Sequence, residues 1–168
     1  MSIQRGFTLI ELIIVIVILG VLAVTAAPRF INFQDDANAS VVQGIGSAFK
    51  SAVDLVHYKW QIEGGSGPID NLEVYGAGQA TLDINVNGWP AQFWPPFEAN
   101  PQLDNTNDCI SVWETLLADD SPTVSTGTGS DYQVTYSANT CTYSLVAQSA
   151  FSIFYNSNDG TVSIDATL

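Results

Sequence analysis

Basic residues are scarce: the 168-residue chain has 4 Lys and Arg against 17 Asp and Glu, for a formal net charge of −13. Binding to phosphate backbones or anionic headgroups works by displacing counterions with Lys and Arg, so nucleic acid is excluded as a primary ligand. Cysteine and histidine are equally thin. Two Cys and one His leave no structural zinc set. The residues also offer little to catalysis: there is no phosphate-binding loop and no Gly-x-Ser-x-Gly elbow, and Glu98, Glu114, Asp119 and Asp120 show no pairing. What is abundant is apolar. With 46% hydrophobic residues the chain is no disordered acidic tail, and its length allows one ordinary domain plus an appendage.

The apolar residues are concentrated at the amino terminus. From Phe7 to Ala27 the only ionisable side chain is Glu11. A helix over this segment is about 30 Å long, the thickness of a bilayer core. A secretory signal peptide and a plain signal anchor compete with that reading, since Arg5 precedes the run and Ala23 to Ala27 contains small residues. The run is longer than a typical signal core, and a carboxylate sits near its start. Glu11 admits two readings: a functional intramembrane carboxylate, or a headgroup-level residue well placed at a helix N-terminus.

Gly6-Phe7-Thr8-Leu9-Ile10-Glu11, after a short basic leader and opening a long apolar helix, resembles the cleavage and methylation motif of type IV pilins and pseudopilins. The resemblance implies that prepilin peptidase removes residues 1–6 and methylates the new amine of Phe7. It gives Glu11 the task of pairing with the Phe7 amine of a neighbouring subunit, a pair that fixes stagger because either charge alone is costly in apolar surroundings. It also matches Gly20 and Pro28 to a segment that loses helicity on packing. From sequence alone, Pro28 is equally a helix boundary. Within the pilins, Phe33-Gln34-Asp35-Asp36-Ala37 and Asp108-Cys109 to Leu117 are similar to the mannose-sensitive haemagglutinin subfamily of major pilins.

Beyond the span, Phe30, Phe33, Ala37, Val41, Ile45, Ala48, Ala52 and Leu55 or Val56 recur at helical spacing, predicting an amphipathic helix over 28–61 whose stripe covers a core. Gly44 and Gly46 either weaken that helix or permit a close approach. His57 reads as a helix-surface residue. Gly64 to Pro68 ends the helix, and a globular β-sheet domain is expected over 62–168. There, Leu82, Ile84 and Val86 alternate with Asp83 and Asn85 before a turn at Asn87-Gly88. Trp89-Pro90 and Phe93 to Phe97 form an aromatic and proline cluster, read as pinning a loop to the domain in preference to stacking on a ligand.

Ile110 to Leu117 reads as a short helix capped by Asn107 or Asp108. Strands are expected over Tyr132–Tyr136, Cys141–Val146, Phe151–Tyr155 and Val162–Ile164, the last pair joined by a turn at Asn156 to Gly160. Cys109 and Cys141, an even pair in a chain whose bulk leaves the cytoplasm, suggest one disulfide bounding 109–141, and the resemblance implies the same. The fold class is α+β: a long N-terminal helix packed on a C-terminal antiparallel sheet, ladle-like.

The oxygen-rich stretches 104–108 and 156–160 read as solvated turns in preference to calcium sites, and no metal or cofactor is expected. The resemblance implies a homopolymer handled by prepilin peptidase and the inner-membrane assembly machinery. Precursor would be held in the inner membrane before it becomes an extracellular filament for attachment. A type II secretion pseudopilin and a membrane-anchored monomeric binding domain or hydrolase are the alternatives.

Overall fold

The computed structural model describes residues 6–75, 81–93, 98–118 and 121–167, with backbone alone at 27–32. Residues 1–5 of the leader, Trp94 to Phe97 of the aromatic cluster, and Asp119 and Asp120 lie outside the described residues. Two compact units divide the chain, Met1–Ala37 and Asn38–Leu168.

Helix α1, Leu9–Ile62, contributes to both units. Its 54 residues correspond to a length of about 80 Å. The helix passes through Pro28 without ending, so a boundary there is corrected: the bond that a proline removes is one among many in so long a helix.

The second unit is built on α1 from Asn38 onward. Val42, Phe49, Ala52, Val53 and Val56 are buried there. This face is rotated about one residue from the expected stripe, since Val41 is 52% and Leu55 45% exposed, and Phe33, in the first unit, is 68% exposed. Both settings satisfy a three-to-four spacing, because apolar residues occupy adjacent positions such as 41 and 42. Gly46 decides between them. A Cβ there would lie 2.6 Å from Ile164 Cγ1 and 3.3 Å from Ile153 Cγ1, so sheet side chains reach the helix backbone at this point. The close-approach reading holds at Gly46, with side chains as the neighbours; a Cβ on Gly44 would meet nothing within 4 Å.

Strands β1 (Ile69–Glu73), β2 (Thr81–Ile84) and β3 (Pro90–Gln92) form an antiparallel sheet in that order. Asp83 was expected on its solvent face but is buried, where Oδ1 accepts from Asn71 N at 2.8 Å, while Val86, expected inside, is exposed. The turn at Asn87-Gly88 is as expected, with Gly88 at φ 84°.

Helix α2, Thr106–Leu117, follows. Its cap is Asn105 and not Asn107 or Asp108: the Asn105 side chain accepts from the backbone N–H groups of Asn107 and Asp108, and the Asp108 carboxylate returns the bond to Asn105 N. Asp108 is thus the third helical residue of a capping box. Burial pushes its carboxyl up, against the lowering effect of bonds from Asp104 and Asn105 N–H.

The second sheet runs β4 (Val124–Ser125), β5 (Tyr132–Ser137), β6 (Thr140–Leu145), β7 (Ser152–Asn156) and β8 (Val162–Asp165). All neighbours pair antiparallel except β4 with β5, which is parallel. Alternation places Tyr132, Val134, Cys141, Tyr143, Leu145, Ile153 and Tyr155 inward. Phe49 of α1 sits at their centre, 5.6 Å from the rings of Trp113 and Tyr143 and 5.8 Å from Tyr155. Cys141 points inward to meet Cys109 of α2, closing the disulfide across 32 residues.

His57 is not a bare surface residue. Its ring stacks on Trp89 with centroids 3.9 Å apart and planes 10° apart, and Nδ1 lies 2.8 Å from Gly88 O. A carbonyl only accepts, so Nδ1 carries the proton in this contact. Trp89 in turn covers Gly160, where a Cβ would fall 2.3 Å from the indole. Ring packing therefore holds the turns to the domain, as read for Trp89; Phe93, at the start of the second cluster, is exposed.

Candidate functional site

Residues Gly6 to Thr8 precede the helix, and Thr8 caps it. Thr8 N and Thr8 Oγ1 both donate to Glu11 Oε2 at 2.8 Å, and Glu11 N donates back to Thr8 Oγ1 at 3.3 Å. The pattern Thr-x-x-Glu before an apolar run is a capping box, and it satisfies backbone donors that the first turn would leave open. Among the described residues, Glu11 Oε1 accepts nothing from the chain. The Glu11 carboxylate is therefore oriented by one oxygen and has the other available.

C-terminal to the cap, the first turns of the helix are apolar, and no described residue covers them. Residues Leu9–Ala26 have a mean hydropathy of 3.0 and none is buried. Phe7 is 87% exposed. By length and composition this helix can cross a membrane. A continuous exposed apolar surface of this extent marks a membrane or protein contact.

The glycines sharpen that reading. A Cβ on Gly6 or on Gly20 would meet nothing within 4 Å. Gly20 lies in a helix interior, where glycine costs about 1 kcal/mol relative to alanine. Among the described residues, no packing requires either glycine. Pro28 lies within the helical backbone of the same unit. Cys109 and Cys141 are joined in the second unit. Sequence reasoning missed Thr8 as the partner of Glu11, although its signal, a threonine three residues before a glutamate, was present.

Residues 1–27 match the family described as the prokaryotic N-terminal methylation motif. Over 48 residues the chain is 52% identical to the type IV narrow pilus major component PilA5 of Thermus thermophilus, covering 29% of this chain and 41% of that protein. It is 46% identical over 59 residues to the type IV major alpha-pilin of Moraxella bovis, covering 35% of this chain and 37% of the other. The amino-terminal segment is similar to those of type IV pilins. A pilin-type segment is shared with secretion proteins too: the type II secretion system core protein G of Pseudomonas aeruginosa is 42% identical over 52 residues, 31% of this chain and 37% of that protein. The chain thus spans between 37% and 41% of the length of these relatives. No solved structure matches the chain. A long pilin-type helix followed by a mainly antiparallel sheet and a disulfide agrees with the α+β pilin fold.

Proposed function

We propose that the chain is the structural subunit of a type IV pilus, polymerising through its amino-terminal helix into a surface filament for attachment. The observation that carries this reading is the apolar span Leu9–Ala26 of α1, exposed among the described residues, which begins two residues after Phe7 and has Glu11 bonded to Thr8 in its first turn. Lipid satisfies that surface in a precursor held in the inner membrane. Once the helix is extracted, the same segment from other copies is the apolar partner that replaces lipid. Prepilin peptidase cuts between Gly6 and Phe7 and methylates the Phe7 amine, leaving residues 7–27 as the polymerisation helix. Glu11 Oε1 then takes the amine of a neighbouring Phe7 while Oε2 stays on Thr8, and Gly20 and Pro28 let the intervening turns open on packing. Inner-membrane assembly machinery supplies the work, so the chain itself needs no catalytic site. Membership of the mannose-sensitive haemagglutinin subfamily rests on residues 33–37 and 108–117 alone.

Mass spectrometry of the polypeptide from purified surface fibres tests this reading. A chain beginning at methylated Phe7 is expected as the most abundant species. A chain with any other amino terminus, absent from fibres, would refute it and favour an anchored monomer. The match to a secretion core protein supports a second reading, a pseudopilin, which predicts folding that depends on calcium and no abundant surface fibre.

A further inference from the structure

Gly88 in the turn β2–β3 and Gly160 in the turn β7–β8 have φ 84° and 72°. Each lies beneath an indole: a Cβ would fall 2.5 Å from Trp60 at Gly88 and 2.3 Å from Trp89 at Gly160. Positive φ and a covering ring together admit only glycine. Asn87 precedes the first and Asp159 the second, the one Asn-Gly and the one Asp-Gly pair in the sequence. Such pairs are chemically labile, because a glycine N–H has no side chain beside it to hinder attack on the preceding carboxamide or carboxyl carbon.

The two pairs are held differently. Asp159 is tied within its own turn: Gly160 N donates to Asn156 O at 2.9 Å and Thr161 N to Asp159 Oδ1 at 2.9 Å. The Thr161 bonds, the backbone one first, hold this carboxyl below its ordinary value of 3.8, and an ionised carboxylate has no good leaving group. The exposed Asn87 carboxamide is neutral, and its restraints come from distant parts of the chain. Asn87 Nδ2 donates to Asn158 O at 3.2 Å, His57 Nδ1 donates to Gly88 O at 2.8 Å, and Trp60 covers Gly88. One further bond is local, from Gly88 N to Asn85 O at 2.9 Å. For Gly88 N to reach Asn87 Cγ, the rigid peptide plane between them must turn. That turn breaks the Asn85 bond and displaces Gly88 from His57 and Trp60.

We propose that Asn87 is a deamidation site gated by the fold, reacting when Gly88 is released from His57 and Trp60. Gly88 N attacks Asn87 Cγ, the new N–C bond replaces the Cγ–Nδ2 bond, and ammonia leaves with the proton of Gly88 N. Water then opens the cyclic succinimide at either carbonyl, giving aspartate or isoaspartate at position 87. Both products carry a carboxylate where Nδ2 had donated to Asn158 O, so an attraction becomes a repulsion between two acceptors. The isoaspartyl product also inserts a methylene into the main chain and moves Gly88 from beneath Trp60. The change therefore reinforces itself: it is a lasting record of how often this end of α1 has parted from the turn, and it is independent of the polymerisation reading.

The test holds the full-length chain in detergent micelles, in mildly alkaline buffer with and without denaturing urea. Peptide mass spectrometry and an isoaspartate assay follow positions 87 and 159 over time. Conversion at 87 is expected in both conditions, about tenfold or more slower in the native chain. His57→Ala should raise the native rate at 87 severalfold and leave the rate at 159 unchanged. Trp60→Phe, which withdraws the indole but keeps a ring, should do the same, and it decides the matter where the first variant does not fold. The deamidated fraction, separated by charge, should melt below the intact one. Four results would overturn the proposal: no conversion at 87 in urea, equal rates at 87 with and without urea, a rate at 87 that neither variant raises beyond any rise at 159, or a deamidated fraction that melts with the intact chain.

Discussion

Glu11 sits near the start of an apolar helix, where a charge is costly deep in a membrane and less so near its surface. The Thr8 bonds lower that cost by spending one carboxylate oxygen within the chain. On the proposed assembly, Glu11→Ala removes the partner of the Phe7 amine and should abolish or sharply lower fibre yield by electron microscopy while the precursor remains in membrane fractions. Glu11→Gln preserves the shape but not the charge. Normal fibres from Glu11→Ala would contradict the assigned role. Asp131 makes a related arrangement on the sheet: its Oδ2 accepts from Thr123 Oγ1 at 2.7 Å and Thr123 N at 2.9 Å. The side-chain bond, then the backbone bond, hold its carboxyl below the ordinary value of 3.8. The unfolded chain therefore takes up this proton first as pH falls, so the stability present above pH 3.8 is lost as pH drops through that value toward the folded one. Asp131→Asn should flatten the acid-side fall in melting temperature; an unchanged acid slope would show that the Thr123 contacts contribute little. Asp108 acts oppositely, since burial raises its carboxyl and its contribution fades as pH rises through the raised value.

Among elements, α1 is the one whose faces have different solvents along its length. From Leu9 to Ala26 it is strongly apolar and, among the described residues, uncovered, and from Val42 onward one face is buried beneath the sheet. Gly46 marks where that face meets Ile164 and Ile153. Gly46→Val gains helix propensity but forces a branched side chain into a site with no room for a Cβ. Overpacking of this kind costs about 1–3 kcal/mol, readable as a lowered urea midpoint, while Gly44→Val on the open face should not show that penalty. Equal effects at both positions would mean that the helix face has been set wrongly. The helix itself was legible from its spacing. Its rotation was not, because adjacent apolar positions satisfy two settings and only the approach of β8 selects one. Strands β5 to β8 were legible because strict alternation and the Asp-Gly turn are local signals. The three-stranded sheet was not, as its strands are short and its Asp83 is buried by a backbone partner 12 residues away in sequence.

At the scale of the whole chain, two units carry opposite surface chemistry. Three of the 17 acidic residues, Glu11, Asp35 and Asp36, fall in the first unit and the other fourteen in the second. The acidic unit suits water and the apolar helix suits lipid or other helices. Within the second unit, the Cys109–Cys141 bridge ties α2 to β6 across 32 residues. Closing a loop of that size stabilises by about 3–4 kcal/mol in the chain-entropy account. The double variant Cys109→Ser/Cys141→Ser should lose stability on that scale in urea unfolding, and fibre yield should fall with it. A loss under about 1 kcal/mol would show that the reduced chain keeps most of the loop closed.

The amino-terminal segment was determined by sequence alone, since a run of aliphatic residues with one carboxylate needs no tertiary partner to declare its preferred solvent. The capping box belongs to the same class, because its two members are three residues apart. Tertiary structure decided the rest: which face of α1 is buried, that His57 stacks on Trp89, and that Asn85, Asn100, Asn139 and Asn158 share one cleft. Each of these depends on groups brought together across tens of residues, and local periodicity contains no term for such contacts.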